Sequence, residues 1–116
     1  MASAAGCQNN SMATDRLGIL KQMLAQDANN SFARYGLGME YAKSGEFSQA
    51  IAEFRTLLER DSNYAAAYFH GGQALEKLGR IEEARALYEK GIEATTRTGD
   101  SHTRAEIEAA LGLLPI

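Results

Sequence analysis

The chain is 116 residues long, 45% hydrophobic and 23% charged, with a formal net charge of −3. That length suits one domain, since single cores usually span about 100 to 150 residues, and the balance of apolar and charged residues excludes a disordered chain. Interleaved charges offer no basic field to nucleic acid, no apolar run approaches the ~20 residues of a membrane span, and the single Cys7 cannot form an intrachain disulfide, which points to a reducing, cytoplasmic setting.

Residues 1–13, rich in Ser, Ala and Asn, are expected to form a flexible tail, because they bury too little apolar surface to offset the entropy of ordering. Met1 to Cys7 faintly imitates the end of a lipoprotein signal, but no positive start or apolar core precedes the cysteine. From Thr14 onward Leu17, Leu20, Met23 and Leu24 recur three and four apart, which predicts a helix over 15–26 capped by Thr14 or Asp15. Asn29, Asn30 and Ser31 break and re-cap the chain before a second helix over 32–44, with Ala33, Leu37 and Tyr41 on one face. Gly45 stands where that helix must stop in a left-handed residue, and Gly79 repeats the role. Further helices are predicted over 48–60, 65–78 and 81–96, with a last one capped by Asp100 or Ser101 and ending near Leu113, short of Pro115. Turns this short make successive helices antiparallel.

A shift of 34 residues lays Gly38 on Gly72, Gly45 on Gly79, Ala50 on Ala84 and Phe54 on Tyr88. The reverse shift lays Leu20 on Phe54, Leu24 on Leu58 and Asp27 on Asp61, so half a unit precedes the first full one. Such a period is the mark of a repeat architecture. Leu37-Gly38, Tyr41, Gly45, Ala50, Phe54 and Leu57, then Gly72, Leu75, Gly79, Ala84 and Tyr88, resemble the tetratricopeptide repeat. The resemblance implies an all-α, right-handed α-solenoid of antiparallel helix pairs, about six helices in all. It divides residues 14–116 into a leading helix (15–26), repeat one (31–64), repeat two (65–98) and a capping helix (100–113). Gly38/Ala50 and Gly72/Ala84 fill the small-residue positions where the two helices of a unit touch, and close crossing demands small side chains there on packing grounds alone. The chain departs from the family pattern at Ala28, Ser62 and Thr96, where proline is common, and at Gly71 and Gly91, where larger residues are usual. Each of those glycines is expected to weaken its helix by about 0.5–1 kcal/mol unless tight packing compensates.

At 100° per residue, Ala33, Leu37, Gly38 and Tyr41 face one way, and Phe32, Tyr35, Met39 and Lys43 the other. The first set is the expected core and the second the expected concave surface of stacked first helices. Its equivalents are Ala66, Phe69, Gln73, Glu76 and Lys77 in the next unit, and Thr103, Ile107 and Leu111 in the last helix. A row of aromatic and Met side chains is suited to partner recognition, and the resemblance likewise implies a groove for peptide segments of partner proteins. The expected groove residues are Phe32, Tyr35, Met39, Lys43, Phe69, Gln73, Lys77 and Ile107; the competing reading makes the aromatics second-layer core and the lysines plain solvated charges. The family's grip on terminal carboxylates uses Lys and Asn where this chain has Tyr35, Met39, Phe69 and His70, so an apolar or mixed ligand is expected instead.

Catalysis is not expected. His70 and His102 have no carboxylate or cysteine at a diagnostic spacing and read as surface side chains, Cys7 has no neighbouring cation to activate it, and no phosphate loop occurs. Glu82 and Glu83 favour the positive end of their helix. No cofactor or metal is expected. The functional expectation is a non-enzymatic adaptor for a protein or peptide partner, with no nucleic-acid or membrane partner. The alternative is a homodimer or larger self-assembly through the leading helix, which lacks its partner, and the apolar end at Leu111, Leu113, Leu114 and Ile116.

Overall fold

The computed structural model describes residues 16–115. The expected tail, Cys7, the Thr14/Asp15 cap and Ile116 lie outside the described residues. Helix α1 covers residues 16–26, followed by α2 (Ser31–Lys43), α3 (Phe47–Arg60), α4 (Ala65–Lys77), α5 (Ile81–Thr98) and α6 (Ser101–Gly112). The fold is all-α, a right-handed solenoid of antiparallel pairs, with no strand among the described residues.

The helix ends follow from local chemistry. Asn30 Oδ1 accepts the Ala33 amide at 3.0 Å and Asp100 Oδ1 accepts that of Thr103 at 3.1 Å, each satisfying one orphan donor of a first turn. Gly45 at φ 80° and Gly79 at φ 74° leave their helices in the left-handed region. The next amides then bond backward, Glu46 N to Tyr41 O at 2.8 Å and Arg80 N to Leu75 O at 2.9 Å, so both hairpins close the same way. Helix α5 runs to Thr98, two residues beyond the expected 96, because the left-handed residue that stops it is Gly99 at φ 77°.

Packing repeats with the same period. Within each unit the first helix meets the second at a glycine: Gly38 lies against Phe54, and Gly72 against Tyr88. Phe54, Leu57, Leu75, Tyr88 and Ile107 are fully buried. The Tyr88 hydroxyl donates to Glu76, and burial, reinforced by that carboxylate, pushes the phenol well above its ordinary range. Gly71 and Gly91 mark close crossings. A Cβ at Gly71 would stand 2.8 Å from Leu87 Cδ2, and one at Gly91 would stand 2.7 Å from Tyr68 Cβ and 2.9 Å from Ile107 Cδ1. Their helix-weakening is thus offset by approach distances that a larger residue would forbid.

One expected groove residue is corrected, and the self-assembly alternative loses part of its surface. Ile107 was expected to line the groove, but it is 0% exposed, wedged where α6 crosses Gly91 and Tyr68. Among the described residues α6 is the last helix, and its large mid-helix apolar side chain turns into the α4/α5 crossing. The apolar chain end is also mostly used internally: Leu114 joins the core at 6% exposure, Leu111 packs against the same cluster, and Arg85 Nη2 holds Pro115 O at 2.6 Å. Among the described residues of that end, Leu113 alone remains out, at 85%.

Candidate binding face

Helices α2 and α4 lie side by side on the concave face, and two hollows open there. One, of about 440 Å³, lies between α2 and α4 and is walled by Met39, Lys43, Phe47, His70, Gln73 and Lys77. The other, of about 690 Å³, lies between α1 and α2 and is walled largely by apolar side chains. Met39 and Glu40 belong to both, so the hollows adjoin at α2.

Met39, Lys43, Gln73 and Lys77 therefore come together in the α2/α4 hollow. Phe32 sits apart from them, on the lip of the α1/α2 hollow at 71% exposure. Tyr35 is half-buried, its ring centroid 5.2 Å from Tyr64, 6.1 Å from Phe54 and 6.0 Å from His70. It serves the core as much as the surface, and burial, with a smaller push from Tyr64, raises its phenol pKa. Phe69 is half-buried too, edge-on to His70 at 5.2 Å and packed on the core cluster of α4, α5 and α6.

His70 is not the plain surface side chain expected. It stands half-buried between the Tyr35 and Phe69 rings. Burial lowers its imidazole pKa, against upward pulls from the Gln73 side chain and the Glu106 carboxylate, which favours the neutral ring. His102, by contrast, is on the surface, its side chain 88% exposed. Phe47 is absent from the expected groove because the sequence places it before α3; as the first residue of that helix it turns into the hollow.

The charges are one-sided. Lys43 and Lys77 are exposed at the ends of α2 and α4, and neither forms an ion pair among the described residues. The one carboxylate on the same wall, Glu40, is engaged by Arg16 at 3.2 Å. The hollow thus offers apolar contact at Met39 and Phe47 beside two uncompensated ammonium groups. Among the described residues no three His, Cys, Asp or Glu side chains converge to hold a metal ion.

Residues 35–97 match the tetratricopeptide repeat family model. The chain belongs to the tetratricopeptide repeat family. A TPR repeat-containing protein of Pseudomonas aeruginosa is 29% identical over 92 residues, covering 79% of this chain and 88% of the relative. A tetratricopeptide repeat domain protein from Salinibacter ruber superimposes with a TM-score of 0.68 at 34% identity, covering 73% of this chain and 86% of that one. The type III secretion chaperone SycD of Yersinia enterocolitica, in complex with a peptide of the translocator YopD, gives a TM-score of 0.71 over 93% of this chain and 86% of that chain. At 18% identity that last likeness is one of fold. No helix of the described residues is long and apolar enough to cross a membrane.

Proposed function

We propose that this tetratricopeptide repeat protein acts without catalysis as a protein-interaction module. It holds a partner's peptide segment along α2 and α4, with an acidic residue between Lys43 and Lys77 and an apolar one on Met39 and Phe47. The observation that carries the reading is the pairing of an open apolar hollow with two lysines that nothing in the described chain neutralises. An exposed cation is ordinarily no more than solvated. Two that recur one repeat apart on the rim of one hollow give a ligand carboxylate both attraction and register. That SycD is known with a peptide of YopD supports a peptide role for this fold. The large side chains expected at the groove's centre, Tyr35 and Phe69, contribute a rigid wall rather than free anchors. As an interaction module the chain would be an adaptor or scaffold in its pathway.

Selection of random displayed peptides on the wild-type protein, and on a Lys43→Glu/Lys77→Glu variant, tests this. The wild type should enrich sequences with Asp or Glu next to a large apolar residue, and charge reversal should weaken those peptides by about tenfold or more, equal to ~1.4 kcal/mol. Enrichment of the same peptides by both proteins would overturn the assignment.

A further inference from the structure

The hollow between α1 and α2 has a counterpart inside the fold. Helix α2 lies against α3 through Gly38 and Phe54 and beside α4 through Tyr35 and His70. One 34-residue unit earlier, α1 takes the place of α3 and α2 that of α4, with Leu20 for Phe54 and Gly36 for His70. The 690 Å³ hollow is therefore where a further first helix would lie, and among the described residues nothing fills the space between Ile19, Leu20, Met23, Phe32, Tyr35 and Met39.

The residues at this end differ from their repeat counterparts in one direction. Where repeat one has Glu53, paired with Arg34 at 2.8 Å, α1 has Ile19 at 56% exposure. Where repeat two has Ala66, α2 has Phe32 at 71%. The opposite end differs the other way: on α6, His102, Glu106 and Ala109 replace Tyr68, Gly72 and Leu75, so its outer face is polar or small. One end of the stack is closed by its own side chains, and the other presents apolar ones.

The fifteen residues that precede α1 do not suit the hollow. In the repeat register Ser3, Ala4 and Cys7 stand where α2 has Leu37, Gly38 and Tyr41, too little apolar volume to fill it. A second copy of this chain does. The same end carries a cleft and, on its wall, two exposed apolar side chains, Ile19 and Phe32, of a size to enter the cleft of a copy, which is the self-complementarity that a two-fold interface requires. A lone peptide helix would cover the cleft only. A two-fold pair covers the cleft and the exposed Ile19 and Phe32 side chains on both molecules at once. The rim does not repel an identical copy, because it carries one cation and one anion, Arg16 and Glu40, already paired at 3.2 Å.

We infer that the open α1/α2 end is a homodimer interface, in which the Ile19 and Phe32 side chains of each copy enter the cleft of the other. The α2/α4 hollow beyond Met39 stays open on both copies, so this interface stands or falls apart from the peptide reading. Light scattering during size exclusion of the full chain should give twice the mass of one chain. Ile19→Glu/Phe32→Glu should give the single-chain mass with an unchanged circular dichroism spectrum, since both side chains are already largely exposed. Leu113→Glu at the other end should leave the doubled mass unchanged, as should Lys43→Glu/Lys77→Glu. A single-chain mass for the wild type, a doubled mass for the Ile19/Phe32 variant, or loss of the doubled mass in Leu113→Glu would each overturn the proposal. Removal of residues 1–13 that converts a monomer to a dimer would do so as well, by making that segment the occupant. Should the double variant fail to fold, dilution of the wild type followed by amide spectra decides the matter. Shifts confined to α1 and α2 support the interface, and shifts at α5 and α6, or none, contradict it.

Discussion

Gly72 lies so close to Tyr88 that a Cβ there would stand 2.1 Å from Tyr88 Cε1, the tightest such approach at any glycine described. One repeat earlier Gly38 meets Phe54 in the same way, at 2.6 Å. The Tyr88 ring has no room to retreat, being 0% exposed and tied through its hydroxyl to Glu76. Gly72→Ala gains about 0.5–1 kcal/mol in helix propensity and loses about 1–3 kcal/mol to overpacking, so the variant should be net destabilised, by about 2.5 kcal/mol at most. Urea denaturation checks the sign. A midpoint equal to or above wild type would show that the crossing yields more readily than these distances imply.

Gly18 is the opposite case. It sits in α1, and a Cβ added there would have nothing within 4 Å, so an extra methyl meets no neighbour. Gly18→Ala should stabilise the protein by about 0.5–1 kcal/mol through lower chain entropy in the unfolded state. Thermal melts of the two variants should move in opposite directions.

Asn30 holds the entry to α2 through its bond to the Ala33 amide at 3.0 Å. Asn30→Ala leaves that donor without its side-chain partner and should cost about 1 kcal/mol. Asn30→Ser should restore most of the loss in the same denaturation series.

The 34-residue period carried helix order, hairpin closure at Gly45 and Gly79, and the two glycine–aromatic crossings, because each depends on a backbone shape or contact distance that few residues allow. Depth was harder to read. Gln73 and Ile107 occupy equivalent register positions, yet one lines an open hollow and the other is buried, since Ile107 enters the crossing of α6 with Gly91 and Tyr68. His70 reads as surface in the sequence because its covering rings, Tyr35 and Phe69, include one from the neighbouring repeat. Both the α2/α4 hollow and the burial of Leu114 come from contacts between repeats, which a periodicity within one helix does not report.

The half-buried position of His70 gives the fold an acid-side sensitivity. Its folded-state pKa is lowered, so the unfolded chain takes up the proton first as pH falls. The stability tied to its neutral form is fully present well above the ordinary value of 6.5, declines as pH drops through it, and levels off below the folded-state value. His70→Gln should flatten the dependence of melting temperature on pH between about 7 and 5 relative to wild type. Parallel curves for the two proteins would remove His70 as the cause.

The peptide reading is tested most directly by amide and side-chain shift mapping of the full chain with a peptide enriched in the displayed selection, an acidic residue beside a large apolar one. Saturable shifts should centre on Lys43, Phe47, His70, Gln73 and Lys77, and they should disappear in the Lys43→Glu/Lys77→Glu variant. Shifts centred instead on the convex helices α3 and α5, around Arg55, Glu83 and Lys90, would contradict it.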